Sequence, residues 1–225
     1  MNRFPVALTA ALIASGMVTA ASAAAAPDPA IPPVSPPAVA AGFLDVRTVV
    51  PDAVIDLRYA TASNFVGRPL YPADARCLVH ESIAPGLATA AAALRARGNR
   101  LVFWDCYRPH DVQVAMFAAV PNPAWVARPG QYARSHESGR SVDVTLAQQC
   151  ATGLCLVDMG TDFDDFSPRA HAYATAGVTG QAQVNRGTLR DAMAAGGLAV
   201  YSGEWWHFDG PGAGIDRPIV DVPVN

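Results

Sequence analysis

Two short stretches of this 225-residue chain carry residue types that can do chemistry together. One is Ser135-His136-Glu137-Ser138-Gly139-Arg140-Ser141-Val142-Asp143, and the other, well downstream, is Gly203-Glu204-Trp205-Trp206-His207-Phe208. Between them they supply two imidazoles, a carboxylate set in an apolar run, and a spare glutamate. That set suits a catalytic zinc ion, which takes three protein ligands, keeps an open position for water and works with a base beside it.

Each residue also has a plainer explanation. Pairs of histidine and aspartate at such spacing are common, and His136 could be a solvated loop residue. Asp143 is distinguished by its neighbours Val142, Val144 and Leu146, because a carboxylate there is costly to bury unless a cation or donors meet it. Glu204 has two candidate jobs, fourth ligand or general base. Hydrolytic zinc sites keep one position open, which favours the base. Trp205 and Trp206 are core aromatics that also lower the dielectric beside a metal. A lone arginine is usually a surface residue, but Arg108 stands at the end of an apolar strand with Pro109 fixing its exit. Its rigid fork of donors can there face an oxyanion. His80, His110 and His171 read as structural or supporting residues. The sequence contains no nucleophile elbow, phosphate loop or HExxH helix.

Periodicity and chain breakers outline the elements that must position these residues. Val54 to Tyr59 alternates as a strand does, and Asn64 to Ala75 has the composition of a surface loop. Ser82 is expected to cap a helix from Ile83 to Arg97 that Gly98 stops. Leu101 to Trp104 is a short strand delivering Asp105 to Pro109 at its end. A helix from His110 to Val120 ends at Pro121. Ser141 to Leu146 is a strand by its β-branched content, with Leu154 to Met159 as a hairpin partner. Val184 to Ala195 is a helix, and Leu198 to Ser202 and Glu204 to Phe208 are the last two strands. This mixed order, with no repeating strand-helix unit, predicts an α+β fold with a mostly antiparallel central sheet flanked by helices.

The ends and the cysteines bound the setting. The net charge is −3 and no run of Lys or Arg occurs, so nucleic-acid binding has no electrostatic support. Residues 1–23 read as an export signal: Arg3, an apolar run, then the small-residue cleavage site Ala21-Ser22-Ala23. The run is short and broken by Pro5, Thr9, Ser15 and Thr19, so no membrane association is expected once it is cleaved. Residues 24–41 read as an Ala/Pro-rich linker, leaving 42–225 as one catalytic domain. An exported protein, periplasmic or secreted, can keep disulfides. Cys150 and Cys155 flank a Gly-containing connection, which leaves Cys77 with Cys106. A zinc site built from the four cysteines lacks CxxC spacing.

Taken together, six segments in order resemble the D-alanyl-D-alanine dipeptidases within the wider group of zinc D,D-peptidases. They are Asp56-Leu57-Arg58-Tyr59-Ala60-Thr61, Trp104-Asp105-Cys106-Tyr107-Arg108-Pro109, Ser135-His136 through Asp143-Val144-Thr145-Leu146, Met159-Gly160-Thr161-Asp162-Phe163-Asp164, Asn185-Arg186, and Glu204-Trp205-Trp206-His207. The resemblance implies the hedgehog/D,D-peptidase-like fold and one zinc ion per subunit held by His136, Asp143 and His207. It implies Glu204 as catalytic base, Arg108 as the transition-state contact, Asp164 as the holder of the substrate's free amine, and Tyr59 and Ser135 as pocket-lining residues. The implied substrate is a small D,D-dipeptide, hydrolysed to two D-alanines in cell-wall peptide turnover or salvage. Ser141 stands where the family more often has Ala. A D,D-carboxypeptidase acting on peptidoglycan stem peptides is the alternative within the group. A non-catalytic wall-peptide binder would be expected to have lost a ligand or the base, and a metal-free disulfide domain would leave Asp143 unexplained.

Overall fold

The computed structural model describes Met1 and residues 31–225. Apart from Met1, the expected export signal and the first part of the expected linker lie outside the described residues. Residues 31–41 correct the sequence-based boundary at 42, for they belong to a folded unit running from Ile31 to Asn225. Helix α1 (Pro36–Ala40) is capped by the Ser35 hydroxyl, which accepts from the Ala38 N–H. Ala38 is fully buried in a cluster with Phe43, Leu78, Tyr107, Val222 and Val224. The Arg76 guanidinium donates to the carbonyls of Pro32 and Pro33. Composition suggests a segment unable to bury enough of itself; it succeeds by packing on the C-terminal residues, a partner that composition cannot reveal.

The strands are β1 (Phe43–Asp45), β2 (Val54–Ile55), β3 (Leu78–His80), β4 (Asn99–Asp105), β5 (Ser141–Cys150), β6 (Gly153–Leu156), β7 (Ala199–Val200) and β8 (His207–Asp209). The longer helices are α2 (Ala84–Arg95), α3 (His110–Ala119) and α4 (Gly180–Ala195). The central sheet runs β2-β4-β5-β8-β7, with β6 paired to β5, and β1 and β3 form a separate pair. Among the described residues only β2 with β4 is parallel; the other pairings there are antiparallel, as expected for this α+β fold.

Helices α2 and α4 pack on one another through their glycines. A Cβ on Gly86 would lie 2.2 Å from the Gly196 carbonyl oxygen, so neither position tolerates a side chain without separating the helices. Leu87, Leu94, Leu189 and Met193 on these helices share one core with Val142, Val144 and Leu146 of β5. Because side chains alternate along a strand, Asp143 and Thr145 point to the opposite face of the sheet, and it is there that the chemistry assembles.

Three local expectations change. Ser82 does not cap α2; its hydroxyl bonds His80 Nδ1 at 2.9 Å, and Ile83 occupies the cap. The strand expected over Val54 to Tyr59 stops at Ile55, and a 3-10 turn at Arg58–Ala60 turns buried Tyr59 toward the site. The last strand starts at His207 rather than Glu204, because the backbone before it bonds outside the ladder: Glu204 N–H donates to the Tyr201 carbonyl and Trp205 N–H to that of Ala170.

Cys77 pairs with Cys106 and Cys150 with Cys155. The first bridge ties the end of β4 to the residue before β3, and Cys106 offers its carbonyl to the candidate site (below). Its ends are separated by 29 residues. Replacing both cysteines by alanine is expected to destabilise the protein by about 2–4 kcal/mol, by restoring chain entropy to the unfolded state. Urea unfolding under oxidising conditions would measure it, and an unchanged midpoint would rule the contribution out.

Candidate metal centre and active site

Strand register places the site. Asp143 of β5 pairs with Asp105 of β4 on one side and His207 of β8 on the other, so the three residues form one row across the sheet. A bulge between Phe103 and Asp105 is what brings Asp105 into that row, since without it Asp105 would share the face of Phe103. His136 arrives from a 3-10 turn, Ser135–Ser138, closed by Gly139 at φ 64°. Only glycine fits there, because a Cβ would stand 2.1 Å from the Phe43 ring.

The donor atoms converge. His136 Nε2 lies 3.1 Å from His207 Nδ1 and 3.3 Å from Asp143 Oδ1, and His207 Nδ1 lies 3.0 Å from the same oxygen. All three residues are buried. The far nitrogen of each ring is committed as a donor. His136 Nδ1–H donates to the Cys106 carbonyl at 2.8 Å, and His207 Nε2–H donates to Asp209 at 3.0 Å. Neutral imidazoles so oriented present lone pairs to each other and to a carboxylate, an arrangement that needs a cation. Three corners of a zinc tetrahedron with bonds of about 2.0 Å are spaced about 3.3 Å apart. The residues therefore fit zinc in donor type, spacing and outer support.

The electrostatics agree. Burial disfavours a charged His207, yet its hydrogen bonds to Asp143 and Asp209 prevail and raise its pKa to about 10. Burial likewise opposes the Asp143 carboxylate, but the two imidazoles hold its pKa well below the usual range. The centre draws in positive charge.

Around it lies a cavity of about 640 Å³ whose lining includes Tyr59, Arg108, Ser135, Asp164 and Glu204 together with the three donors. Every site residue named from the sequence thus meets in one place, the disulfides excepted. Glu204 precedes β8 in a turn held by its N–H on the Tyr201 carbonyl at 3.2 Å. Burial and nearby Asp143 raise its pKa, although His207 and His136 pull the other way. Asp164 has φ 58°, and its carboxylate accepts from the Tyr59 hydroxyl at 3.1 Å and the Phe65 N–H at 3.0 Å. Burial lifts its pKa to about 7, with Asp143 adding to the rise. The loop carrying it is tied down by α4: Asn185 donates to the Asp158 carbonyl and Arg186 to those of Met159, Arg169 and His171.

Several supporting residues escaped the sequence reading. Asp105, fully buried, accepts both Nε and a terminal nitrogen of Arg108 at 3.0 and 2.6 Å, and also the Tyr71 hydroxyl at 2.6 Å. Gln113 accepts from the other arm of Arg108 at 2.7 Å. Asp209 orients His207 and accepts from Ser141, which in turn accepts from Ser135. The hydroxyl of Ser141 is therefore part of the support for His207. Asp105 and Asp209 carried a faint signal, each standing in a strand beside a candidate residue. Gln113 and Tyr71 carried none. His110 pairs with Glu137 at 2.5 Å, and His80 bonds Ser82 and Arg140, as fits their expected supporting roles.

Comparison with known proteins agrees with this geometry. The peptidase M15 family, described as D-ala-D-ala dipeptidase, matches residues 39–225. A D-alanyl-D-alanine dipeptidase of Escherichia coli (strain K12) is 36% identical over 171 residues, covering 76% of this chain and 86% of that protein. One from Enterococcus faecalis (strain ATCC 700802 / V583) is 32% identical over 203 residues, covering 82% of this chain and 96% of its own length. With the match spanning nearly all the described fold and every donor of the centre, the chain belongs to the D-ala-D-ala dipeptidase family of metallopeptidases.

Proposed function

We propose that this protein is an exported zinc dipeptidase that hydrolyses free D-alanyl-D-alanine. The observation that carries the reading is the sharing of one cavity by the three-donor centre and Asp164, a carboxylate whose pKa burial raises and which forms no ion pair among the described residues. The family and its two relatives support the same substrate. His136, Asp143 and His207 would hold the zinc ion. When bound, zinc would supply Lewis-acid polarisation of the scissile carbonyl and acidify a water.

The chain's own residues do the rest. Asp164 and Tyr59 receive the ammonium end and so fix where the amide lies. Glu204, its proton affinity raised by burial, takes the proton from the attacking water and gives it to the leaving amine. Arg108 is pinned by Asp105 and Gln113, so its remaining donor edge is rigid and can meet the oxyanion without reorganising. Export is supported by the sequence of residues 1–23 and by the two disulfides, which oxidising compartments preserve. Wall-peptide turnover or salvage is the role consistent with that location.

Release of D-alanine from free D-Ala-D-Ala and from its N-acetyl form, side by side, tests the substrate. Cleavage of the free dipeptide alone is expected; preferential cleavage of the acetylated peptide would make the protein a carboxypeptidase. Asp164→Asn is expected to raise KM for the free dipeptide roughly 10²-fold, because the ammonium then loses its counter-charge. In the wild type, KM should climb as pH falls below about 7, where Asp164 takes up a proton. The stability effect has the opposite sign. The folded-state pKa of about 7 lies above the ordinary 3.8, so the ionised carboxyl destabilises the fold, fully above pH 7 and not at all below 3.8. Asp164→Asn should therefore melt higher than the wild type at pH 8, and a lower melting temperature would contradict the account.

A further inference from the structure

The geometry points to a side-chain subsite for the first residue of the dipeptide, built by Phe65, Phe166 and Trp125. We propose that it makes the enzyme prefer D,D-dipeptides whose amino-terminal side chain is large and apolar. The inference rests on Asp164 as the ammonium acceptor. In an amino acid the ammonium nitrogen and the first side-chain carbon leave the same atom and lie only about 2.5 Å apart. That side chain is therefore confined to the space beside Asp164, where Phe65 is the nearest apolar residue bonded to the carboxylate.

The adjoining surface is aromatic. Phe65, whose N–H donates to Asp164, packs edge-on against Phe166 with ring centroids 5.5 Å apart. Phe166 stacks parallel on Trp125 at 5.0 Å. All three line the cavity, and they come from three separate loops. Trp125 is 48% exposed, so its indole is not needed by the core, where Val126 beside it is buried. Nor is its loop loosely placed: Trp125 N–H and Val126 N–H both donate to the Asn122 carbonyl, and Gln113 holds the Ala127 carbonyl at 2.6 Å. Gln113 is also the residue that braces Arg108, so the wall and the candidate catalytic arginine share one support.

Size argues the same way. A cavity of about 640 Å³ is in the range that takes ligands well above two alanines in bulk. A methyl group would leave the exposed part of Trp125 in water, whereas an isobutyl or benzyl group is long enough to cover it. A single methylene in an apolar pocket commonly changes kcat/KM by roughly 10-fold or more.

The test compares kcat/KM of the zinc-loaded wild type for D-Leu-D-Ala and D-Phe-D-Ala with that for D-Ala-D-Ala. Ratios of roughly 10 or more are expected. Trp125→Ala and, separately, Phe166→Leu should each lower those ratios about 10-fold, with melting curves confirming that both variants fold. If D-Ala-D-Ala is cut and the ratios are below one, or if neither substitution moves them, the subsite is disproved while the dipeptidase reading stands. If no free dipeptide is cut, both fall together.

Discussion

Glu204→Gln is expected to lower kcat by roughly 10²–10⁴-fold while the protein keeps its full metal content and its fold. The structure separates the two jobs this residue could hold. Three donors already converge within 3.3 Å of each other without it, so the centre is complete as an open tripod. Among the described residues none hydrogen-bonds the Glu204 carboxylate, whereas both imidazole donors are oriented by hydrogen bonds, to the Cys106 carbonyl and to Asp209. A group left unbraced in a cavity is free to move with a proton; a group needed to hold an ion is not left that way. Burial also raises its pKa, so replacing it with a neutral amide removes an unfavourable buried charge. The melting temperature should stay level or rise. Steady-state kinetics, metal analysis and calorimetry on one preparation decide the matter. Loss of zinc in step with loss of activity would reassign Glu204 as a ligand.

Metal removal should produce the second large effect, this time on stability. Zinc held at 100 to 1,000 times its dissociation constant is expected to contribute about 2.7–4.1 kcal/mol to the folded state. For a domain of this size that corresponds to a fall in melting temperature of about 5–15 °C on chelation. Without the ion the cluster accommodates its facing lone pairs by holding a proton on His207. That pKa is raised from 6.5 to about 10, so the proton's contribution is complete below about pH 6.5 and is lost as pH rises through 10. The zinc-dependent shift should accordingly be larger at pH 9 than at pH 7. Asp143→Ala should abolish it, since Oδ1 lies 3.3 Å from His136 Nε2 and 3.0 Å from His207 Nδ1 and completes the three-donor set. Identical melting curves with zinc and with chelator would show that no metal occupies the folded site.

How much of this was legible beforehand follows a physical line. Asp143 could be singled out from sequence because burial of a carboxylate among Val142, Val144 and Leu146 demands compensation, and that is a local fact. The α+β class, the helices α3 and α4, and strands β4 and β5 also follow from local signals, period and breakers, whereas four cysteines allow three pairings and the fold selects Cys77 with Cys106 and Cys150 with Cys155. His136, His207, Glu204 and Arg108 stood out by residue type and setting. Asp164, Tyr59 and Ser135 entered only through resemblance, since nothing in their spacing marks them.

What the tertiary structure alone decided is which residues become neighbours. Asp105 reaches Arg108 and the metal row only because a bulge flips it across β4, and Asp209 orients His207 only because β8 pairs with β5 in one particular register. Residues 31–41 join the fold only because the C-terminal valines come back to cover Ala38. Trp125 meets Phe166 only after two distant loops are anchored on α3 and α4. Periodicity along a chain sets the face a side chain takes, because that depends on the backbone of a few adjacent residues. Register, bulge and loop anchorage are set by the packing of the whole core, whose free energy is spread over many distant contacts and is written in no single stretch.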